Sequence, residues 1–390
     1  MRKYLWLQHM SVRAIIGLAC LLALAACDLP TINQKATPTT IQSSRTLSPT
    51  PTLTPSARAS APPATGDVTL VYDDQMGEVL FLGDTFYSDP NQPEQTWIWN
   101  GSAWTQLHPA HEPSIRSNTA IAYDPATKQV VLFGGLSSLA NTKMLSDTWT
   151  WDGTDWTHQH PATSPPARDD AALAYDAATN QLVLFGGGSS KPPIGGLVPP
   201  PLNDTWIWDG SNWIQQHPAA SPLPVLSPGL TYDAARQNLI LFGGLYANTT
   251  PMRKELNDTW QWSGTNWVHL HPQTSPDLFD NSNGQQVLFS NPVMVYNAQT
   301  QQIFLLFGSD DSNTNRSFQV SWVWDGTSWS KTRAGGPLNG VDTGNLLYDA
   351  KTQTVLEMTR VLPSTSISFD TTLWKLEGQT WVKLDEWGLQ

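Results

Sequence analysis

The chain has 390 residues, of which only 14% are charged, and it contains 30 Pro, 27 Gly and 19 Trp with a formal net charge of −12. Such an acidic chain is a poor partner for nucleic acid and for anionic lipid head groups, so we expect neither. Both cysteines, Cys20 and Cys27, lie near the start, which excludes disulfides and cysteine metal sites from the remainder.

The first 26 residues have the pattern of a secretory signal. Basic residues are followed by the apolar run Ala14–Ala26. This run is shorter than the roughly 20 apolar residues that a membrane-spanning helix needs. Met10 is an alternative start, because the segment that follows it is a complete signal by itself.

The signal ends in Leu24-Ala25-Ala26-Cys27, which resembles the lipobox of bacterial lipoproteins. The resemblance implies that Cys27 carries a diacylglyceryl group, becomes the mature N-terminus and anchors the protein to the membrane outside the cytoplasm. Cys20 matches the motif less well, because Gly17 stands where the lipobox has an apolar residue. A soluble secreted protein, cut near Ala26, is the alternative interpretation.

Residues 27–66 follow the signal and are rich in Pro, Thr and Ser. A segment with so few apolar residues cannot bury enough surface to offset the entropy of ordering. We therefore predict a disordered tether. A Pro-rich chain extends by about 3.1 Å per residue, which gives this tether a reach on the order of 100 Å.

Six repeats fill residues 67–385 and leave a short tail at 386–390. Each repeat contains four short apolar runs, strands A to D, and Asp170–Pro218 shows the pattern most clearly. A tight turn joins A to B, a longer loop joins B to C, and a second tight turn joins C to D. The predicted repeat boundaries are about 67–115, 116–167, 168–224, 225–285, 286–338 and 339–385.

Aromatic residues mark equivalent positions in the repeats. Strand A carries Tyr72, Tyr123, Tyr175, Tyr232, Tyr296 and Tyr348, and strand C carries Trp97, Trp149, Trp206, Trp260, Trp322 and Trp374. Five of the six strand-C tryptophans are followed two residues later by a second one, and a period of two puts both on one face of a strand. Strand D begins with a further tryptophan. Such regular aromatics indicate a repeated core.

The spacing of about 50 residues and the Phe-Gly-Gly after strand B, at Phe133, Phe185 and Phe242, resemble bacterial kelch repeats. Arg116 and Arg168, seven residues before a strand-A Tyr, fit the same resemblance. It implies an all-β fold, a six-bladed kelch-type β-propeller similar to the central domain of galactose oxidase. The doublet is replaced by Gly83-Asp84, Gly308-Ser309 and Thr359-Arg360 in repeats one, five and six, which predicts altered B–C connections there.

No catalytic constellation stands out in the sequence. Four histidines precede Pro at the end of strand D, but repeat-equivalent residues lie on different blades and cannot converge on one metal ion. They are His108, His160, His217 and His271. A galactose-oxidase-like copper site needs a Tyr–Cys crosslink, and the repeats contain no Cys. Asp280–Gly284 and Asp310–Asn313 lack the ligand spacing of a calcium loop, so we interpret them as turns. We expect no cofactor and no metal.

Strand direction predicts the binding face. In an antiparallel A-B-C-D sheet, the short A–B and C–D turns share one face of the disc, and the variable B–C loops and D–A linkers share the other. Variable loops on a rigid scaffold usually carry binding. The candidate residues on this face are Phe86, Tyr87, Arg116, Arg168, Tyr246, Arg253 and Lys254.

The predicted function is an extracytoplasmic binding or scaffolding module, held by a lipid anchor, for a protein, a peptide or a glycan. We expect the protein to act as a monomer. The alternative is a carbohydrate-active or other enzyme whose site is built from blade loops. Fold alone does not separate these functions, because propellers host both.

Overall fold

The computed structural model describes residues 61–62, 68–83, 95–137, 143–189, 201–249, 252–280, 287–288, 290–311, 316–337, 346–361 and 370–388. The chain divides into two units, Met1–Ala59 and Ser60–Gln390, and every described residue belongs to the second. The described ranges consist of strands and their connections, and no helix in them could cross a membrane. Cys27, Phe86 and Tyr87 lie outside these ranges.

Thirty strands account for the regular structure of the described residues. The first sixteen are β1 (Val68–Asp73), β2 (Glu78–Gly83), β3 (Gln95–Trp99), β4 (Trp104–Gln106), β5 (Arg116–Ser117), β6 (Ala120–Asp124), β7 (Gln129–Phe133), β8 (Leu136–Ser137), β9 (Thr148–Trp151), β10 (Trp156–Gln159), β11 (Arg168–Asp169), β12 (Ala172–Asp176), β13 (Gln181–Phe185), β14 (Gly188–Ser189), β15 (Thr205–Trp208) and β16 (Trp213–Gln216). They are followed by β17 (Gly229–Asp233), β18 (Asn238–Thr249), β19 (Met252–Trp262), β20 (Trp267–Leu270), β21 (Phe279–Asp280), β22 (Val287–Leu288), β23 (Ser290–Asn297), β24 (Gln302–Asp311), β25 (Arg316–Trp324), β26 (Trp329–Lys331), β27 (Leu346–Asp349), β28 (Thr354–Val361), β29 (Asp370–Glu377) and β30 (Thr380–Gly388).

Of these strands, 24 form six four-stranded antiparallel sheets, each made from one contiguous segment, and the other six form two-stranded ribbons, β5 with β8, β11 with β14 and β21 with β22. The orders of the four-stranded sheets are β1-β2-β3-β4, β6-β7-β9-β10, β12-β13-β15-β16, β17-β18-β19-β20, β23-β24-β25-β26 and β27-β28-β29-β30. The first strands contact one another in the closed cycle β1, β6, β12, β17, β23, β27 and back to β1. These strands are therefore innermost, and the predicted six-bladed β-propeller is confirmed.

The core lies between adjacent blades, because both faces of each inner sheet are apolar. Phe133 of blade two packs edge-on against Trp213 of blade three, with ring centroids 5.2 Å apart. Both belong to a buried cluster that also contains Trp208 and residues of the two blades. The predicted burial of the second strand-C tryptophans is confirmed: Trp151, Trp208 and Trp262 are 0%, 1% and 1% exposed.

Buried hydrogen bonds join each blade to the one before it. The indole nitrogen of the tryptophan that begins strand D donates to a threonine hydroxyl at the start of strand C in the preceding blade. The pairs are Trp156 to Thr96 (3.1 Å), Trp213 to Thr148, Trp267 to Thr205 and Trp329 to Thr259 (each 2.9 Å). Each buried donor thus meets a buried acceptor, which removes the cost of desolvating either group unpaired.

Closure of the ring rests on packing between blades six and one. Leu373 occupies the threonine position on blade six and packs in one cluster with Trp99 and Trp104 of blade one. The backbone N–H of Lys351 donates to the Tyr72 hydroxyl across the same junction, at 3.0 Å. Because each blade is contiguous, no sheet in the described ranges combines strands from both ends of the chain.

The glycine doublets allow close passage of backbone. Gly187 has a φ of +93°, and a Cβ there would lie 2.5 Å from the Asp169 carbonyl oxygen. Its N–H donates to the carbonyl of Val225, on the linker that enters the next blade, at 2.9 Å. Blades five and six, which lack the doublet, continue strands B and C as long paired ribbons, β24 with β25 and β28 with β29. Blade four has the doublet and forms a similar ribbon from β18 and β19, so the ribbons do not result from loss of the doublet. The altered connection predicted for blade one lies outside the described residues.

Candidate binding face

The B–C loops and the D–A linkers meet on one face of the ring. Short ribbons pair the end of a linker with the residues that follow the glycine doublet: β5 with β8 in blade two and β11 with β14 in blade three. Because β5 and β11 lead directly into the innermost strands β6 and β12, these ribbons lie close to the central axis. This arrangement places the variable segments around the axis, as the strand directions predicted.

Polar residues occupy equivalent positions near the axis on this face in blades two to five. We call these residues the axial belt. Each lies five residues before a strand-A tyrosine and has a positive φ. They are Asn118 (54°), Asp170 (52°), Ser227 (47°) and Asn291 (52°). Asp170 N donates to the Asn118 carbonyl at 3.0 Å, and Ser227 N donates to the Asp170 carbonyl at 2.8 Å. The Ser227 hydroxyl also donates to Asp170 Oδ1 at 3.1 Å. Amide, carboxylate and hydroxyl groups of successive blades are thus linked.

Asp169 carries the most perturbed carboxyl group of this face. Burial, and then the charge of neighbouring Asp170, raise the pKa of Asp169 to about 7. Gly188 leaves the space that this side chain occupies, since a Cβ there would lie 2.5 Å from Asp169 Oδ1. Near neutral pH the Asp169 carboxyl therefore exchanges a proton readily, which an ordinary surface aspartate does not do.

Arg116 and Arg168, two of the candidate residues for this face, lie beneath it in the structure. The Arg168 guanidinium donates to both Asp204 carboxylate oxygens at 2.8 Å and to the Gly186 carbonyl at 2.9 Å. Arg116 makes the same bidentate pair with Asp147, at 2.7 and 2.8 Å. Both arginines are buried. They hold the glycine turn against strand C and position the loops.

Sequence reasoning missed the carboxylate partners of these arginines. Asp204 Oδ2 also accepts a hydrogen bond from the Trp206 indole at 2.7 Å, and Asp147 Oδ2 accepts one from Trp149 at 2.8 Å. Burial raises the pKa of Asp204, but the hydrogen bonds and charge of Arg168 outweigh it and hold that pKa below its usual value. The sequence contains a signal for these carboxylates, because Asp directly precedes Thr-Trp in blades two, three and four.

Blade four carries the other described candidates on a ribbon. Strands β18 and β19 continue past the glycine doublet and pair Tyr246 with Lys254 and Ala247 with Arg253. Directly opposed residues share a face, so Tyr246 and Lys254 lie together. Tyr246 packs against the core between blades three and four, whereas Lys254 is exposed. Lys254 is thus the described candidate most accessible to a partner.

The strand-D histidines lie at the outer edge, on separate blades. The segment after each His-Pro contacts the C–D turn of the next blade: Thr163 N donates to Asn212 Oδ1 and Ala220 N to Asn266 Oδ1, both at 3.0 Å. Within the described ranges, no three His, Cys, Asp or Glu side chains are grouped to hold a metal ion. Of the calcium-like segments, Asp280 ends β21 and Asp310 lies in β24, so neither begins in a turn.

Comparison with known proteins identifies the fold. No protein-family model matches the chain, and no curated protein matches it. Among solved structures, the chain is similar to the structure of YjhT. The TM-score is 0.50 and the sequence identity is 11%, and the match covers 81% of this chain and 96% of the YjhT chain. At that identity the likeness shows a shared propeller fold and carries no ligand or activity across.

Proposed function

We propose that the protein is a cell-envelope lipoprotein whose kelch-type propeller serves, as a monomer, as a binding or scaffolding module for a protein, peptide or glycan. The observation that carries the proposal is the contrast between the two faces of the ring. The kelch assignment is supported by the Phe-Gly-Gly doublets, whose positive φ at Gly134 and Gly135, for example, accommodates the passing linkers.

One face is uniform from blade to blade. The A–B turns of blades two and three are closed alike, with Asp124 Oδ2 and Asp176 Oδ2 each accepting a threonine hydroxyl at 2.9 Å. The C–D turns repeat a second motif, in which Asp152 Oδ1 and Asp209 Oδ1 accept backbone N–H groups two and three residues on. Such turns serve the scaffold.

The described parts of the opposite face differ between blades two, four and five. Blade two has a two-residue ribbon, blade four has the β18–β19 ribbon, and the linker into blade five adds the β21–β22 ribbon. The axial belt adds carboxylate, amide and hydroxyl groups, which can hydrogen-bond peptide backbones and sugar hydroxyls. Rigid support beneath diverse polar segments favours recognition on this face.

The test is a direct search for ligands with the full chain, carrying Cys27→Ser so that it is soluble. The protein is applied to a glycan array and to a peptide library, and hits are measured by titration. We expect saturable binding to at least one ligand class. Absence of saturable binding to both the glycan array and the peptide library would contradict the proposal.

A second candidate function is an enzyme with a site on the same face, and the observation that favours it is Asp169. A carboxyl group with a pKa of about 7 is suited to general acid–base catalysis near neutral pH. A panel of chromogenic aryl glycosides and esters tests this function. Turnover that is lost in Asp169→Asn would support it, whereas no turnover, or equal turnover in the variant, would refute it.

The membrane anchor rests on the Leu24-Ala25-Ala26-Cys27 sequence. Two acyl chains suffice for stable membrane attachment, whereas one gives only marginal binding. We predict that Cys27→Ser abolishes labelling by a fatty-acid analogue and releases the protein from membranes, while the control Cys20→Ser leaves both unchanged. Membrane retention of Cys27→Ser at the wild-type level would contradict the anchor.

A further inference from the structure

The rings of two histidines and a tryptophan contact one another at the outer edge of blade four. Trp260 on β19 lies directly opposite His269 on β20. Their rings are stacked, with centroids 4.5 Å apart and an interplanar angle of 19°. His271 follows two residues later and lies edge-on to His269, with centroids 4.4 Å apart. Because alternate residues of a strand share a face, the two imidazoles project side by side from the same surface.

A carboxylate adjoins this pair. Asp258 Oδ1 lies 3.5 Å from His269 Nε2, and the two side chains are 39% and 37% exposed. In blades two and three the equivalent carboxylates are bound bidentately by Arg116 and Arg168. Blade four has the buried Val225 at the arginine position, so no guanidinium from that position neutralises Asp258.

We propose that His269 and His271 form a chelating site for a divalent transition-metal ion such as Zn²⁺, Ni²⁺ or Cu²⁺. Imidazole suits these ions, and water completes the coordination of a two-ligand site on an exposed surface. Asp258 contributes negative charge beside the ion and orients the His269 ring, as carboxylates commonly do for metal-binding histidines. This site lies at the outermost strand of its blade, away from the axial belt, and does not depend on the function proposed for the binding face.

Blade two provides an internal comparison. His158 and His160 have the same arrangement, with ring centroids 4.5 Å apart and His158 stacked on Trp149. There, however, Arg116 binds Asp147 and brings a positive charge close to the imidazoles. A metal cation is therefore bound less favourably on blade two. Blade three offers no pair, since Gln215 stands two residues before His217.

The test is a titration of the full chain carrying Cys27→Ser with Ni²⁺ and with Cu²⁺, followed by calorimetry and tryptophan fluorescence. We expect one tighter ion per chain, and quenching by Cu²⁺ because Trp260 is stacked on a ligand. His271→Ala should weaken the tighter site about tenfold or more. Asp258→Asn should weaken it about tenfold, at the lower end of the roughly 10–100-fold range that outer-sphere partners show.

The matched control is His217→Ala, which removes the equivalent but isolated histidine of blade three and should leave the affinity unchanged. His271 is exposed, so its variant should keep the wild-type melting temperature. No binding at millimolar metal, wild-type affinity in His271→Ala, or an equal loss in His217→Ala would each overturn the proposal.

Discussion

At the scale of single residues, the Arg168–Asp204 pair shows how a buried charge organises this fold. Arg168 is 1% exposed and gives hydrogen bonds to a carboxylate and to a glycine carbonyl. Burying two charges costs desolvation energy, so the pair need not add net stability. Removing one partner is different, because the other charge then remains buried and uncompensated. The pair therefore fixes the loop position more than it raises the stability.

We predict that Arg168→Met costs about 3–5 kcal/mol of unfolding free energy, since Asp204 would be left without its counter-charge. Chemical denaturation at pH 7 measures the loss. Adding Asp204→Asn to this variant should recover part of it. A loss below about 1 kcal/mol in Arg168→Met, typical of an exposed pair, would contradict this account.

The same pair has a predicted pH dependence. The pKa of Asp204 is held below its usual value in the folded state, so its stabilisation is present above the unfolded-state pKa of about 3.9 and is lost as pH falls through the lower folded value. Denaturation curves at pH 3 and pH 7 should therefore show a smaller cost of Arg168→Met at pH 3. If Arg168→Met cost as much at pH 3 as at pH 7, the result would contradict the assignment of a negative charge to Asp204 in this pair.

The contribution of Asp169 to stability depends on pH in the opposite sense. Its folded-state pKa is raised to about 7, so its contribution favours folding at pH below the unfolded-state value and is lost as pH rises towards 7. We predict that Asp169→Asn raises the unfolding free energy at pH 8 relative to wild type and does so less at pH 5. Equal effects at both pH values would show that the carboxyl is not perturbed.

At the scale of elements, two glycines illustrate two different reasons for which a position requires glycine. Gly153 lies in a C–D turn, and Gly187 belongs to a doublet. Gly187 and Gly153 have nearly the same φ, +93° and +96°. A Cβ on Gly153 would meet only the end of the Met76 side chain, at 3.7 Å, whereas one on Gly187 would lie 2.5 Å from backbone oxygen. The first position thus requires glycine for its dihedral angle alone, and the second also for space.

We predict that Gly153→Ala costs about 1–2 kcal/mol, the usual penalty for positive φ, and that Gly187→Ala costs at least about 1 kcal/mol more. Urea denaturation of the two variants gives the comparison. Equal losses would mean that the linker moves aside at no cost, and the doublet would then not explain how the linker is held.

Sequence predicted the inner elements better than the outer connections. The period-two aromatics predicted which strands are buried, because that pattern directly records one packed face of each strand. The B–C connection that carries Tyr246 and Lys254 was predicted to be a loop, yet β18 and β19 continue through much of it. Its residues lack an apolar alternation, since this ribbon extends beyond the core and is held by backbone pairing. Asp147 was missed because its role depends on Arg116, 31 residues away in the chain.

At the scale of the whole molecule, the six blades are interdependent, because the apolar faces of each blade are buried by its two neighbours. Four of the six junctions carry the same buried indole-to-threonine hydrogen bond. Closure from blade six to blade one uses apolar packing around Leu373 instead. A lesion in one blade therefore destabilises its neighbours also.

We predict that Trp208→Ala costs about 3–5 kcal/mol, the usual figure for a buried aromatic. Because the lesion lies between blades two and three, thermal unfolding should keep a single transition at a lower midpoint. A separate early transition, with the remaining blades unfolding at the wild-type temperature, would contradict the interdependence of the blades.

The central claim is that partners bind the face formed by the B–C loops and D–A linkers. Lys254→Gln removes one exposed positive charge from this face, and Lys128→Gln removes one from an A–B turn on the opposite face. The decisive measurement is the Kd of both variants for the strongest ligand found on the arrays, each alone and combined with Tyr246→Ala. We predict weaker binding for Lys254→Gln, a further loss with Tyr246→Ala, and wild-type affinity for Lys128→Gln. Weakened binding in Lys128→Gln, with Lys254→Gln unchanged, would place the site on the opposite face and contradict the account.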